Sequence, residues 1–588
     1  MNKEVNKTLF AITVSLLLVL SVLLQINIYA GGEATQKKAK WTFIVYLDSD
    51  NDLEEAGIHD INEMETVGST DDVNIIVLID RAIGYDTTNG DWTDARVYRI
   101  TKDDDAQTIN SPVIEYKGEL NMGDPKTLIN FTNWAIDKYP ADKYILDVWD
   151  HGGAFSGVAW DDGDPNTAAD DDKLDLDNVS FALDSIKNHL GRNLDVFGFD
   201  ACLMGAASVM YSLYGYIDIA IAAGPSEPGD GWPYEKLLPP LVEKPSMTPA
   251  ELAKDIVTTY VESYNDFKGD PNDSLKQVMS AWYMDKMLPV FSSINALGMA
   301  MAMDSGMPPD GKIGRLYAIR DKTHSYDGYA IAGIDFEAYY TMYDVYDLAG
   351  QILRDRTLRD DKLTACAEEI RRAIEEANVV SSAGIVAGLS DVYGLTIYWP
   401  IGERASPDQK WGPASAYSPK YDYTQWAKEQ FWSEFLKSYW IPHVSATNTP
   451  PAIYFNGGNC IRLNTTCDCG VEISGIAYSL SGSVKVYISI DNQSWQETQT
   501  EQKGNNVMWK YSLNTLKQKY GNHTVKLKAV DSSSKESPVI SRQITVTAPP
   551  IPEAPAQINI LPAIVLLLAS VLIVISLFVY AKKKRRKK

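Results

Sequence analysis

From residue 41 the apolar positions fall into short unbroken runs: WTFIVYL (41–47), VNIIVLI (73–79), KYILDVW (143–149), LDVFGF (194–199), IDIAIAA (217–223) and YGLTIYW (393–399). Longer segments with apolar residues at helical spacing separate them, LEEAGIHDINEMETV among them. Short β-rich runs without alternation predict strands buried on both faces, and the helices between predict crossovers. The expected fold class is therefore α/β, a mostly parallel six-stranded sheet flanked by helices. Ligands of such sheets bind at the carboxyl ends of the strands. After about residue 440 the texture changes. HVSATNTPP (443–451) reads as a linker, and SVKVYISI, VMWKYSL, HTVKLKAV and SRQITVTA alternate apolar with polar. That pattern predicts a β-sandwich over 452–547, and SVKVYISIDNQSWQ and GNHTVKLKAVD resemble immunoglobulin-like modules of microbial surface proteins.

The two ends carry a different hydrophobic pattern. Lys3 and Lys7 precede the apolar run Leu9–Leu24 and small residues near Ala30. This layout predicts a signal peptide over 1–30, with an uncleaved signal anchor as the alternative. At the far end APPIPEAPAQ (548–557) reads as a stiff stalk. Residues 558–581 are long enough to span a bilayer as a helix, and KKKRRKK (582–588) predicts a cytoplasmic tail. The expected protein is a single-pass membrane-tethered ectodomain on the outside of the cell.

Charge sharpens the picture. The chain of 588 residues carries −24, so without its cationic tail and leader the remainder stands near −32. A surface of that sign disfavours nucleic acid and attracts cationic peptides or divalent ions. Sequons at Asn130, Asn178, Asn272, Asn464, Asn492 and Asn522 permit glycosylation. Cys460, Cys467 and Cys469 cluster in the distal module, where Cys460 pairs in principle with either of the others. Cys366 sits in a helical pattern and reads as buried. Cys202 is left alone.

Its surroundings carry the candidate chemistry. The third run ends in Asp150-His151-Gly152-Gly153 and the fourth in Asp200-Ala201-Cys202. Neighbouring parallel strands place both ends on one rim, so His151 and Cys202 can meet as a thiol nucleophile with its imidazole. Glycine beside the histidine suits an oxyanion hole. Asp48, Asp50, Asn51 and Asp52, at the end of the first run, read as caps of the following helix. Asp147 and Asp150 read as structural.

WTFIVYLDSDNDLE, WDHGGAFSGVAWDD, FDACLMG, GPSEPGDGWPY and GLTIYWP together resemble the clostripain family of cysteine peptidases, in the wider clan of caspases, legumains and gingipains. The resemblance spans about residues 40–440 and frames a peptidase domain over 40–442. It implies that Cys202 is the nucleophile and His151 its partner, with the N–H groups of Gly152 and Cys202 as oxyanion hole. It also implies that Asp200 lies at the floor of the S1 pocket, joined by Asp230, which predicts cleavage after Arg or Lys. A buried carboxylate facing a cavity is costly until a cation meets it. The family's self-cleavage between the His and Cys segments points to Lys173 in DDDKLD as processing site. Its calcium response points to the acidic loop 161–177, with Asp161, Asp162 and Asp164 as candidate Ca²⁺ ligands; an exposed solvated loop is the plainer reading. No cofactor is required for the chemistry. Two alternatives stand beside hydrolysis: a legumain-like transpeptidase, and an inactive surface adhesion protein.

Overall fold

In the computed structural model the described residues lie between 38 and 547, excepting 163–171, 266–276, 303–311, 328–340, 359, 384–390, 401–420, 422, 441–450, 456–459, 465–470, 479–482, 504–505, 514–520 and 538. The expected signal segment, the linker apart from Pro451, the stalk, the membrane span and the tail fall outside them. Among the described residues no helix is long and apolar enough to cross a membrane.

The strands of the first domain are β1 (Ala39–Ser49), β2 (Val73–Arg81), β3 (Ala95–Arg99), β4 (Val113–Gly118), β5 (Ala141–Trp149), β6 (Val158–Trp160), β7 (Lys173–Leu174), β8 (Leu194–Asp200), β9 (Ile217–Ala223), β10 (Val278–Tyr283), β11 (Ser325–Asp327), β12 (Thr341–Asp344), β13 (Asn378–Ala383) and β14 (Thr396–Tyr398). Nine form one sheet in the order β13-β10-β9-β8-β5-β1-β2-β3-β4. The five central strands are parallel, and the outer pair on each side runs antiparallel.

Strand alternation divides the core in two. Ile44, Tyr46, Leu146, Val148 and Phe197 face one layer, which includes helices Pro125–Lys138 and Leu176–Leu190. Phe43, Val45, Leu47, Ile145 and Val196 face the other, which includes helices Glu54–Glu65, Tyr234–Glu243 and Pro249–Asn265. Both faces are covered, which is why these strands carry no polar face.

The sheet differs from the expectation in two ways. It has nine strands rather than six, because two antiparallel strands extend each edge. YGLTIYW does not join it: β14 pairs with β12 in a separate three-stranded sheet, β11-β12-β14. The diversion is local. Gly394 takes φ +74°, and the N–H groups of Tyr393 and Gly394 donate to Asp344 Oδ2 at 3.0 and 2.8 Å. Only a single bridge, Ala206 to Thr396, ties β14 to the rim of the main sheet.

Residues 452–547 form two further sheets, of four and five strands, around a separate cluster that includes Ile473, Val486, Ile488, Trp509, Val525 and Leu527. Alternation reads directly here: Gly521–Asp531 buries His523, Val525, Leu527 and Ala529 while the residues between face outward.

Candidate active site

The register of β5 on β8 sets Trp149 opposite Asp200. Asp150 N–H then donates to Asp200 carbonyl at 3.2 Å. His151 and Cys202 therefore each follow two residues beyond a shared rung, on the same rim of the sheet. Gly152 packs against the nucleophile segment so closely that a Cβ there would stand 2.1 Å from the Cys202 carbonyl oxygen. Only glycine fits. After Cys202 the chain turns through Leu203 at φ +65°, a conformation non-glycine residues adopt rarely and at a cost.

The thiol is held by the loop after β9. Glu227 N–H lies 3.2 Å from Cys202 Sγ, and the thiol faces Glu227 carbonyl at 3.7 Å. Burial pushes the thiol pKa up to about 11, although the Glu227 N–H and Ser226 oppose the shift. His151 is 6% exposed, and its Nε2 is 2.8 Å from Asp52 Oδ1. Burial alone lowers the imidazole pKa. The Asp52 hydrogen bond and the charges of Asp150, Asp52 and Asp162 outweigh it, and the net shift is upward.

Asp52 is the residue whose place sequence reasoning misread, taking it for a helix cap, and Glu227 is one it did not single out. The helix Glu54–Glu65 starts at Leu53 with no side-chain cap, so the acids before it do not cap it. Asn51 instead donates to Asp150 Oδ1 at 2.7 Å and to Trp160 carbonyl at 2.9 Å, while its own Oδ1 accepts from Leu53 N–H. That binds the β1 end to the β5 end and sets Asp52 beside the imidazole. The register of β1 on β5, Leu47 opposite Trp149, is a tertiary fact that the apolar runs alone do not carry.

Asp200 is 4% exposed. Both its oxygens accept from Trp232 N–H, at 3.1 and 3.0 Å, and Oδ2 accepts from Tyr234 hydroxyl at 2.9 Å. Tyr234 hydroxyl also reaches Asp147 Oδ2 at 2.8 Å, and Asp147 Oδ1 accepts from Asp200 N–H. Burial, with the charge of Asp60, raises the Asp200 pKa to about 7 despite these donors. Glu227 completes the group. Its two carboxyl oxygens are buried against Asp200 without a well-formed hydrogen bond. Burial and the charges of Asp200 and Cys202 push its pKa well up. A paired carboxyl group beside a thiol, short of donors, is an arrangement that a cation completes.

Of the other expected residues, Asp230 is exposed on the same loop, one residue before Gly231 packs on Asp200. Lys173 opens β7, paired with β6, its ammonium 5.6 Å from the Trp160 ring centre. Asp164 lies outside the described residues. Asp161 is buried rather than in an exposed loop, and its Oδ2 accepts from Met122 N–H at 2.5 Å. Asp162 is exposed. A Ca²⁺ ion takes six to eight oxygens; Asp161 and Asp162 are two of the three acids expected to hold one, and Asp48 and Asp80 lie near Asp161. The described residues offer another group within chelating distance: His59, Asp60 and Glu63.

The family model for the clostripain family, Peptidase_C11, matches residues 45–440. This chain belongs to the clostripain family. It is a cysteine endopeptidase. Clostripain of Hathewaya histolytica is 26% identical over 411 residues, covering 63% of this chain and 76% of that one. Two solved structures are also similar. A secreted C11 cysteine protease from Bacteroides thetaiotaomicron, in complex with an irreversible peptide inhibitor, is 19% identical with a TM-score of 0.44, covering 65% of this chain and 100% of that one. An inactive zymogen C11 protease from Parabacteroides distasonis is 18% identical with a TM-score of 0.45, covering 68% and 99%.

Proposed function

We propose that this peptidase cleaves peptide bonds after Arg or Lys, with Cys202 as nucleophile, His151 as base and the Asp200–Glu227 pair as floor of the S1 pocket. The observation that carries the specificity is the pair of buried carboxyl groups beside the thiol, with no basic side chain among the described residues hydrogen-bonded to either. A substrate guanidinium or ammonium supplies the missing donors and charge. Asp230, at the exposed end of the same loop, adds attraction at the pocket mouth.

The chemistry follows from the thiol's environment. A thiol with a pKa near 11 is protonated at neutral pH, so its proton leaves as attack occurs. His151 takes it on Nδ1, because Nε2 is engaged by Asp52. Sulfur adds to the scissile carbonyl, and the developing oxyanion is met by the N–H groups of Gly152 and Cys202. The imidazolium returns its proton to the leaving amine, giving a thioester. Water, deprotonated by the same imidazole, then releases the acid. Asp52 stabilises the imidazolium in both steps.

The apolar span at 558–581 and the basic tail support a tethered enzyme working outside the cell. Lys173 is the proposed site of self-processing, since its side chain is the cationic one in the acidic stretch between His151 and Cys202.

The test uses the full chain and Cys202→Ala, with peptidyl amides ending in Arg, Lys, Asp or Leu. Turnover of Arg and Lys substrates by the wild type alone is expected. Equal turnover of the Leu substrate would remove the S1 role of the carboxyl pair. Activity retained in Cys202→Ala would remove the nucleophile.

A further inference from the structure

On the helix Glu54–Glu65, one turn brings together His59, Asp60 and Glu63, behind the proposed pocket and outside the catalytic pair. Each carboxylate is held by one oxygen and leaves the other turned toward the imidazole. Asp60 Oδ2 accepts from Trp149 Nε1 at 2.7 Å, and Glu63 Oε2 accepts from Tyr234 N–H at 2.9 Å. The remaining oxygens, Asp60 Oδ1 and Glu63 Oε1, lie 3.6 and 3.8 Å from His59 Nδ1. Those separations are too long for hydrogen bonds. They are close to the edge of a tetrahedron around a metal with bonds of about 2.1 Å, which is about 3.4 Å.

A second observation points to a ligand. Asp60 is 1% exposed, and its Oδ1 has no hydrogen-bond partner. A buried carboxylate oxygen left this way costs free energy that a cation removes. Glu235 adjoins the three through Glu63, and its Oε2 is buried without a well-formed hydrogen bond. Its Oε1 is 3.0 Å from Lys236, a half-exposed ammonium that competes for it. His59, 57% exposed, provides the entrance.

We infer that His59, Asp60 and Glu63 form a binding site for a borderline divalent cation of the Zn²⁺ class, with Glu235 as the neighbour of Glu63. One imidazole nitrogen with carboxylate oxygens suits Zn²⁺, Co²⁺ or Mn²⁺, whereas Ca²⁺ selects oxygen-only sets of higher coordination number. The Trp149 and Tyr234 N–H groups are its orienting partners. Trp149 ends the strand that leads to His151, and the Tyr234 hydroxyl holds Asp200. An ion here clamps the helix Glu54–Glu65 to the start of helix Tyr234–Glu243, and so fixes the wall that carries Tyr234.

The test is metal binding by the purified full chain. Wild type, His59→Ala and Glu63→Gln are stripped with chelator and titrated calorimetrically with Zn²⁺, and separately with Ca²⁺. Co²⁺ is added in parallel to read its visible absorption. The expected result is one Zn²⁺ equivalent in the wild type whose affinity falls by about a hundredfold or more in each variant, together with loss of the Co²⁺ band. Ca²⁺ binding is expected to be the same in all three proteins. Circular dichroism confirms that the variants are folded; His59 is exposed, so His59→Ala is the safer arm. Zn²⁺ binding of equal stoichiometry and affinity in wild type and His59→Ala, or none in the wild type, would overturn the site and leave His59 as a surface side chain beside two acids.

Discussion

Replacing Asp52 by Asn tests how the imidazole is governed. The substitution keeps the shape of the side chain and removes the charge that faces His151 Nε2 at 2.8 Å. A hydrogen bond to a charged partner contributes about 1.5–3 kcal/mol. Asp52 is 40% exposed, so solvent screens part of this, and about 1–1.5 kcal/mol is the reasonable share. That corresponds to a fall in kcat of about five- to tenfold. The loss belongs in kcat, because the imidazolium is needed in the transition state and not for substrate binding. The sign of the pH effect follows from the same contact. Asp52 raises the His151 pKa, so its removal moves the acid limb of kcat to lower pH. The assay is kcat and KM of an Arg-ended amide from pH 5 to 9 for both enzymes. A kcat within twofold of wild type, with an unmoved acid limb, would refute the assignment of Asp52.

Asp200→Asn and Glu227→Gln are each expected to lower kcat/KM for Arg and Lys substrates by about a hundredfold, the cost of leaving a buried cation without its partner, while a Leu-ended substrate changes little. Because the Asp200 pKa in the free enzyme is about 7, kcat/KM for basic substrates rises with pH through two deprotonations, those of Asp200 and His151, and Asp200→Asn keeps only the His151 limb. Gly152→Ala sets a methyl group against the Cys202 carbonyl, and activity is expected to fall by at least about a hundredfold with the thermal midpoint lowered as well; near-normal turnover would contradict the close packing. Asp50 and Asp150 with pKa values of about 7, and Asp80 and Glu63 of about 9, all exceed those of an unfolded chain, near 4. The folded state therefore keeps protons that the unfolded chain loses, and their contribution to stability is full below pH 4 and lost as pH rises to 9. In metal-free buffer the melting temperature is expected to fall from pH 5 to pH 9, and a flat or rising profile would count against these protonation states.

The central strands were legible because burial on both faces writes itself as unbroken apolar runs, and His151 and Cys202 because each follows directly from such a run. The edge strands were not. ARVYR and VIEYKG, which form β3 and β4, are short, partly exposed and mixed in polarity. YGLTIYW has the composition of a core strand, and only the Gly394 turn and its tie to Asp344 send it elsewhere. Asp52 was misread as a cap and Glu227 passed over for another reason. Each stands a few residues past the end of its strand, and reaches the site because a loop from a different strand folds over the rim. His59, Asp60 and Glu63 look in sequence like the polar side of an amphipathic helix; burial of Asp60 under Trp149 is a tertiary fact.

The burial of the Cys202 sulfur has a consequence for the enzyme's lifetime. With a pKa near 11, about one thiol in ten thousand is ionised at neutral pH. Peroxide, disulfides and simple alkylating reagents all react through that minor form, so the resting protein keeps its sulfur chemically quiet in the oxidising surroundings proposed for it. A ligand that brings its own positive charge into the acidic pocket changes the local field and lowers the barrier to ionisation. Inactivators that carry a basic side chain should therefore outpace uncharged ones by more than their affinity alone explains, and the enzyme spends its reactivity only where a cation has already docked.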